Sequence, residues 1–402
     1  MSGTKFYDLI VIGGGAMGLA TAYHASKSQN VSNVLVLEQY AFYNELSSSG
    51  GSSRQFRLQY EEDYMAKLVL AAIPYWDELQ AHTDITLRTK VGSLWFGAAD
   101  VQSSEGQINA ARNVLDQLNL PYQNLCAAEI ENEFHFTNLP DSYGGFFQPD
   151  GGSLNTPAIL RTLYQQAAAS KRVTLSPQQK VIELIAGEHE IVVRTTADTF
   201  TAKKLVIAAG PFTNEILKLL GIELNIIIWQ MVSCYFKKKH AGVDFPSWFV
   251  FEEPKEYYDP GLYYGFEEMS WSNPGFIRIA PAFALHTFRD PADRTDRPDA
   301  MDVWRTAQWV QNHMPELEAE ARFKSWCMAA LPAHNAKKMF LDFAPNAIPA
   351  HRNIVIFSAG WAFKFVPLIG KICADLAIAG KTSVDISKFG IEEFYERPCD
   401  LD

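Results

Sequence analysis

The chain has 402 residues, of which 48% are hydrophobic and 20% charged, an ordinary globular balance with room for two lobes around a large core. A formal net charge of −11 argues against nucleic acid or an anionic membrane as a partner, so an anionic substrate would need a local positive pocket. No apolar run reaches the ~20 residues of a membrane helix, and no signal peptide is expected because residues 1–5 lead directly into a strand pattern.

The first elements form a βαβ unit. Residues 6–12 have the pattern of a buried parallel strand, residues 15–28 that of a helix, and residues 34–38 that of the next strand. Such a unit at the start of a chain is typical of a nucleotide-binding α/β domain.

A glycine motif lies between the first strand and the helix. Gly13, Gly15 and Gly18 fit GxGxxG, which allows a tight turn, a close approach to a pyrophosphate and close packing of helix on strand. Glu38 ends the second strand, where a carboxylate would accept hydrogen bonds from ribose hydroxyls and disfavour a 2′-phosphate. The motif predicts a bound dinucleotide, and it leaves the choice between NAD and FAD open.

The chain then visits a second domain twice. A polar glycine-rich loop (44–53) and a helix (61–83) precede short strands and a helix at 110–118, which we interpret as the first excursion. The run at 146–152 marks the return of the chain to the nucleotide-binding domain. Later elements are predicted as a helix at 156–169, strands at 203–208, 231–236, 248–251, 261–266 and 275–281, a helix at 301–314, a strand at 354–357 and a final helix ending at 379.

These elements divide the chain into two domains of an α/β fold. The nucleotide-binding domain is predicted to be discontinuous and to comprise residues 1–86, 144–221 and 323–402. A sheet-rich substrate domain is predicted from residues 87–143 and 222–322.

The cysteines are scattered without CxxC spacing, which excludes a metal knuckle and argues against a disulfide framework. We therefore expect a reduced cytoplasmic protein without a metal site. The five cysteines are Cys126, Cys234, Cys327, Cys373 and Cys399.

Several stretches carry a family resemblance that extends over nearly the whole chain. They are RLQY (57–60), GSLWFG (92–97), EGQ (105–107), QPDGG (148–152) and GWAFKFVP (360–367). On these residues the chain resembles the monomeric sarcosine oxidase family of flavoproteins, and within it the branch that oxidises piperideine-2-carboxylate. The resemblance implies a Rossmann-type FAD-binding domain interrupted by a sheet-rich domain, as in glutathione reductase and D-amino-acid oxidase. It also implies a monomer.

In that family, a cysteine at the position of Cys327 carries FAD through a thioether to its 8α-carbon. Cys327 lies in KSWCMAALP (324–332), which is similar to the family segment, so the resemblance implies covalent FAD at this residue. The alternative is a buried small apolar side chain, the usual place of cysteine. That alternative is our interpretation of the other four cysteines. Gly360 and Lys364, in and just after the second glycine-rich segment, are expected beside the cofactor.

Two cations are expected to hold a substrate carboxylate. Arg57 offers a planar fork for two hydrogen bonds, and Lys364 lies in an apolar run between two phenylalanines. The resemblance places both on the carboxylate, whereas the alternative makes them solvated surface charges. Arg54 is expected to bind either the flavin phosphate or the backbone.

The resemblance also assigns three further residues to the site. Trp361 corresponds to a tryptophan over the flavin, which favours a flat cyclic imino or enamine acid over sarcosine. Glu105 corresponds to an active-site glutamate that would pair with the substrate amine or take its proton. Tyr264 matches a pocket tyrosine. By composition alone, a core tryptophan and a solvated loop acid remain alternatives.

One segment departs from the family pattern. The relevant branch has an aspartate where this chain has Pro281-Ala282-Phe283. Sarcosine oxidases place a lysine near this segment that assists oxygen reduction. The candidates for that role here are Arg278, His286 and Arg289, and the sequence does not choose among them.

Together, these residues predict an FAD-dependent amine oxidase. It would oxidise a C–N bond of a cyclic or secondary amino or imino acid with O2 as acceptor and release H2O2. Four alternatives remain open: an N-methyl amino acid oxidase, a flavin dehydrogenase with another acceptor, an NAD-dependent dehydrogenase, and a nucleotide-binding scaffold without activity.

Overall fold

A computed structural model of the protein describes residues 5–254, 261–333 and 338–396, so Cys399 lies outside the described residues. The helices are α1 (Ala16–Ser26), α2 (Asp63–Gln80), α3 (Ile108–Gln117), α4 (Ala127–Phe134), α5 (Thr156–Ala169), α6 (Thr213–Lys218), α7 (Ala300–His313) and α8 (Val366–Ala379). The strands are β1 (Lys5–Ile12), β2 (Val34–Leu37), β3 (Ser53–Phe56), β4 (Ser93–Gly97), β5 (Gln123–Cys126), β6 (Gly144–Gln148), β7 (Gly152–Asn155), β8 (Val173–Ser176), β9 (Val181–Ala186), β10 (Ile191–Thr195), β11 (Thr199–Ile207), β12 (Glu223–Leu224), β13 (Ile226–Lys238), β14 (Ser247–Phe251), β15 (Leu262–Gly265), β16 (Phe276–Pro281), β17 (Thr287–Phe288), β18 (Leu317–Pro332), β19 (Phe340–Phe343), β20 (Ile354–Ser358) and β21 (Tyr395–Glu396).

The first sheet has the strand order β19-β20-β11-β1-β2-β8. Strands β20, β11, β1, β2 and β8 run parallel, while β19 and the β9–β10 hairpin add antiparallel pairs at β20 and β11. Its central strand is buried on both faces, which explains its continuous apolar run. Leu9 and Val11 pack in one hydrophobic cluster with α1 and α8, and Ile10 and Ile12 pack in another on the opposite face.

The second sheet has the order β17-β13-β16-β15-β14-β4-β6-β5, with β18 also paired to β13. Its long antiparallel pair β13–β18 sets Met231 opposite Cys327. One face is covered by a cluster rich in aromatic residues, in which Trp248, Tyr263 and Trp309 stack together.

The predicted helices and most predicted strands are present, with ends shifted by a few residues. The division into domains stays a prediction, but two strands join a different sheet from the one their predicted domain implies. Strand β6 pairs with β4 and β5, beyond the boundary at residue 143, and β18 joins the second sheet through residue 332, beyond the boundary at residue 322. Residue spacing within each strand did not reveal these pairings, because they depend on partners in other segments of the chain.

Candidate functional site

The glycine loop opens a cleft at the carboxyl end of β1. Gly13 has φ +110°, and a Cβ there would lie 2.4 Å from the carbonyl oxygen of Ala208. A Cβ on Gly18 would lie 1.8 Å from the carbonyl oxygen of Gly13, so α1 packs against β1 only with glycine at that position. We call this space, lined by Gly13, Gly15 and Glu38 among others, the dinucleotide cleft; its empty volume is about 990 Å³.

Glu38 closes the turn around the glycine loop. Its Oε2 accepts a hydrogen bond from the N–H of Gly14 at 2.8 Å, and its Oε1 accepts one from the N–H of Tyr40 at 2.9 Å. The carboxylate also lines the cleft, and a carboxylate has about four acceptor positions. It therefore supports the loop and keeps acceptor capacity for a hydroxyl group.

A second cavity of about 750 Å³ continues from the cleft, and we call it the inner cavity. Ser48, Gly360 and Phe363 line both spaces. A Cβ on Gly360 would lie 2.6 Å from the Leu331 side chain, so glycine allows this segment to pass close to β18. The inner cavity is also lined by Arg54, Gln55, Arg57, Glu105, Met231, Phe249, Tyr264, Phe266, Arg278, Ala282, Cys327, Met328, Ala329, Trp361 and Lys364.

Cys327 lies half-buried on β18 in the wall of this cavity. An Arg54 Nη2 group lies 3.5 Å from its Sγ and also donates to the carbonyl oxygens of Ser48 and Gly50 at 2.6 and 2.8 Å. Of the two predicted roles of Arg54, the structure shows the contact with the backbone. Arg54 lines the inner cavity rather than the dinucleotide cleft.

Arg57, Glu105 and Lys364 form a buried cluster in the same wall, which we call the cation cluster. Arg57 directly follows β3 and is 3% exposed. One Nη2 hydrogen bond joins it to Glu105, which lies in a tight turn where Ser103 and Gly106 exchange backbone hydrogen bonds. The Nη1 group of Arg57 is buried and has no hydrogen-bond partner among the described residues. A buried guanidinium with an open donor is a position for an additional anion.

Lys364 lies in the single helical turn before α8. The indole N–H of Trp76 donates to its carbonyl oxygen at 2.7 Å and fixes this turn against α2. Lys364 is 7% exposed, and its ammonium group donates to the carbonyl oxygen of Trp361 at 3.4 Å. Burial, together with the nearby Arg57 charge, lowers the Lys364 pKa to about 7, and Glu105 partly opposes this shift. Neither cation is a solvated surface charge.

Aromatic side chains form the rest of the wall. Trp361 meets Trp229 edge-on, with ring centroids 5.7 Å apart. Tyr264 stacks on Phe249 at 5.2 Å, and burial raises the Tyr264 pKa. The cavity therefore combines apolar faces with a concentrated positive charge, which suits a flat organic acid.

The three candidates for oxygen activation differ in their position relative to the inner cavity. Arg278 is 5% exposed and lines the inner cavity, where Ser53 and Ser233 accept its hydrogen bonds. His286 bonds to the carbonyl oxygen of Asp293 and Arg289 to Asn225, and neither lines the cavity. Ala282, in the segment where the family pattern has an aspartate, lines the cavity without a charge.

Some wall residues were not predicted from the sequence. Met231, Phe249 and Phe266 face the cavity, and the buried Gln55 donates to the carbonyl oxygens of Trp248 and Gly265. Their only sequence signal was an alternating pattern in predicted strands, which also fits a purely structural core. Among the described residues, no group of three or more His, Cys, Asp or Glu side chains is arranged for a metal ion, and no helix has the length and apolarity to cross a bilayer.

Comparison with known proteins places these features in context. Residues 8–376 match the family model described as FAD dependent oxidoreductase. A protein of Dictyostelium discoideum, provisionally named a bifunctional amine oxidase, is 37% identical over 408 residues, which cover 96% of this chain and 37% of that longer protein. Human peroxisomal sarcosine oxidase is 29% identical, with 96% of each chain covered.

A solved structure is also similar to this chain over nearly its whole length. The open form of NikD, described as an unusual amino acid oxidase essential for nikkomycin biosynthesis, superimposes with a TM-score of 0.90 and 36% identity. The match covers 97% of this chain and 98% of that chain. The predicted two-domain fold class, the family resemblance and the class of flavin-dependent oxidoreductase acting on amines are confirmed.

Proposed function

Because the chain belongs to the family of FAD-dependent oxidoreductases, we propose that it oxidises the C–N bond of a cyclic or secondary amino or imino acid, of the pipecolate or piperideine-2-carboxylate type, with dioxygen as acceptor. The observation that carries this proposal is the cation cluster. Arg57 and Lys364 are buried and share the wall of the inner cavity with a single carboxylate, Glu105, and this cavity continues from the dinucleotide cleft.

The described residues fit FAD. Gly13, Gly15 and Ala16 line the cleft at the N-terminus of α1, where backbone N–H groups favour a diphosphate, and Glu38 offers its remaining lone pairs to a ribose. The inner cavity adds a largely apolar space for a ring system beside Gly360. FAD supplies the acceptor for the two electrons and the hydrogen that leave the substrate carbon.

Cys327 would hold the flavin through a thioether. Thiolate is the nucleophilic form of cysteine, and the Arg54 guanidinium lies 3.5 Å from the Cys327 sulfur. In the net reaction, the thiol and the 8α-methyl group each lose one hydrogen as the C–S bond forms, and one dioxygen takes up both hydrogens to give hydrogen peroxide. The position of the sulfur in the cavity wall supports this linkage.

The cation cluster would bind and orient the substrate. The open Nη1 of Arg57 and the ammonium of Lys364 donate to the carboxylate, and Trp361 presents an aromatic face to a flat ring. Glu105 then accepts a hydrogen bond or a proton from the substrate nitrogen. Burial favours the neutral amine, which is the form that reacts.

Arg278 is the proposed group for oxygen activation. It is the member of the three predicted candidates that lines the inner cavity, and its buried charge would stabilise the first anionic product of oxygen reduction. Its guanidinium is held by Ser53 and Ser233, so the charge needs no rearrangement during turnover.

We also infer a cytoplasmic monomer. The family resemblance supports the monomer, and the described cysteines Cys126, Cys234, Cys327 and Cys373 form no disulfide, which fits a reducing compartment.

An oxygen-uptake screen of the purified yellow protein tests the function. The acids are piperideine-2-carboxylate, pipecolate, proline, sarcosine and lysine, with peroxide measured in parallel. We expect the two six-membered cyclic acids to give the highest kcat/KM, with one peroxide per oxygen consumed. A higher kcat/KM for sarcosine would favour the N-methyl amino acid oxidase that the relatives' names support. Flavin bleaching without oxygen uptake would make the protein a dehydrogenase.

A further inference from the structure

A third cavity lies against the cation cluster on the side of α2. Its empty volume is about 350 Å³, and its lining consists of Arg57, Tyr60, Met65, Ser104, Glu105, Lys338, Met339, Trp361 and Lys364. We call it the vestibule. It shares Arg57, Glu105, Trp361 and Lys364 with the inner cavity and no residue with the dinucleotide cleft.

The vestibule leads from solvent to the buried charges. Ser104 is exposed and the Lys338 side chain is 19% exposed, whereas Tyr60, Met65 and Met339 are buried. The lining thus combines an exposed rim residue, a partly exposed lysine, buried apolar side chains and the buried cation cluster.

Charge is distributed unevenly along this cavity. Its lining carries three cations, Arg57, Lys338 and Lys364, against the single carboxylate of Glu105. Outside the lining, Lys338 Nζ pairs with Glu62 at 2.9 Å, and Glu62 precedes the first turn of α2. On a protein of net charge −11, such a local excess of positive charge favours entry of an anion.

We propose that the vestibule is the entrance for the substrate and that Lys338 is the first cation to meet its carboxylate, before the acid passes to Arg57 and Lys364. This inference rests on the proposed function. A flavin ring in the inner cavity would occupy the passage from the dinucleotide cleft, since the two spaces meet at Ser48, Gly360 and Phe363. The vestibule reaches the same cations from the other side.

An entrance cation has a kinetic signature different from that of a binding-site cation. It accelerates association and contributes little once the substrate is seated, so it changes kcat/KM and its salt dependence rather than kcat. Glu62 competes with the substrate for Lys338, so its neutralisation acts in the opposite direction.

The first test is Lys338→Gln in the holoenzyme, with the best acid of the oxygen-uptake screen. We expect kcat/KM to fall about three- to tenfold at low ionic strength, with kcat within about twofold, and the difference to vanish near 0.5 M salt, where charges are screened within about 4 Å. Glu62→Gln should raise kcat/KM at low salt. The control is Lys388→Gln, which removes a cation lining a separate surface groove beside Glu61 and Glu62.

The second test is steric. Ser104→Trp fills the exposed rim of the vestibule, and it should slow anaerobic flavin reduction at low substrate concentration while leaving the limiting rate unchanged. Gln102→Trp, on the same loop but outside the lining, is the matched control.

The entrance proposal is overturned if Lys338→Gln and Lys388→Gln have equal effects, if kcat falls as much as kcat/KM, or if Ser104→Trp has no more effect than Gln102→Trp. If Lys338→Gln leaves kcat/KM unchanged while Lys364→Met strongly weakens substrate binding, the entrance proposal is wrong and the proposed function still stands. Unchanged substrate binding in Lys364→Met would instead contradict the proposed function itself.

Discussion

The ammonium group of Lys364 is surrounded by the guanidinium of Arg57, the carboxylate of Glu105 and the aromatic ring of Tyr60, whose centroid lies 5.2 Å from Nζ. Burial and the Arg57 charge lower the Lys364 pKa to about 7, so the side chain changes charge near neutral pH. A substrate carboxylate would bind the protonated form more tightly. Protonated Lys364 therefore strengthens binding of the carboxylate, and its deprotonation weakens that binding at higher pH.

This pKa predicts a pH profile. Because kcat/KM reports groups of the free enzyme, we expect it to fall above pH about 7 as Lys364 loses its proton. Lys364→Arg stays charged throughout and should lose this descending limb, while Lys364→Met should raise KM about tenfold or more at pH 6.5. An identical descending limb in wild type and Lys364→Arg would assign the titration to another group.

The glycine loop acts at the scale of the element, since it sets the distance between α1 and β1. A Cβ on Gly18 would lie 1.8 Å from the carbonyl oxygen of Gly13, a backbone atom that cannot rotate away as the end of a flexible side chain could. We expect Gly18→Ala to lose FAD binding and about 3 kcal/mol or more of stability, as overpacking does in a tight core. Gly144→Ala is the control, because its Cβ would make an ordinary contact at 3.5 Å. Measured flavin content and urea unfolding would show the difference, and an unchanged Gly18→Ala protein would contradict the packing argument.

Arg278 connects the second sheet to the segment that carries Arg57. From β16, it donates to the carbonyl and hydroxyl oxygens of Ser53 on β3 and to the hydroxyl of Ser233 on β13. Arg278→Met would remove the Arg278 donors to the hydroxyl oxygens of Ser53 and Ser233, while Arg54 would still donate to the Ser53 carbonyl oxygen. We expect a loss of roughly 2–4 kcal/mol in urea unfolding, against about 0.5 kcal/mol for the exposed Arg289→Met. Slower reoxidation of the reduced flavin in Arg278→Met, but not in Arg289→Met, would further support the role of Arg278 with oxygen. If the two changes have equal effects on stability and on reoxidation, Arg278 is neither the structural link nor the oxygen-activating group.

Helices, strands and turns were predictable from the sequence where residues within the segment itself determine the structure. The buried central strand, the glycine loop and the helices α5 and α7 follow from apolar periodicity and turn residues within each segment. The membership of β18 was not predictable, because it depends on a register that sets Met231 opposite Cys327 across almost a hundred residues. The pairing of Arg57 with Glu105 depends in the same way on a turn remote in sequence.

On the scale of the whole molecule, the site joins the two sheets. The dinucleotide cleft belongs to the first sheet, and Cys327 lies on β18 of the second. A thioether at Cys327 would therefore connect the two sheets through the cofactor. The resemblance named the residues of this arrangement, while the vestibule and its Lys338 became visible only in the three-dimensional structure.

A covalent connection predicts thermal behaviour. In wild type, flavin absorbance should stay with acid-precipitated protein, and Tm should not depend on added FAD. In Cys327→Ala, flavin should leave the precipitate, and Tm should rise with added FAD, because stabilisation by a dissociable ligand follows its concentration. Cys126→Ala, an exposed cysteine far from the cavity lining, is the control. Flavin released from wild type would contradict the linkage.

The most direct test of the central claim, that buried cations hold the acid group of an amine substrate, is anaerobic flavin reduction by pipecolate and by piperidine, which lacks only the carboxylate. We expect pipecolate to be preferred by about a thousandfold or more in reduction rate at low concentration, as two charge-assisted contacts would give, and Lys364→Met to reduce this preference at least about tenfold. Equal reduction by the two amines, or an undiminished preference in Lys364→Met, would contradict the account.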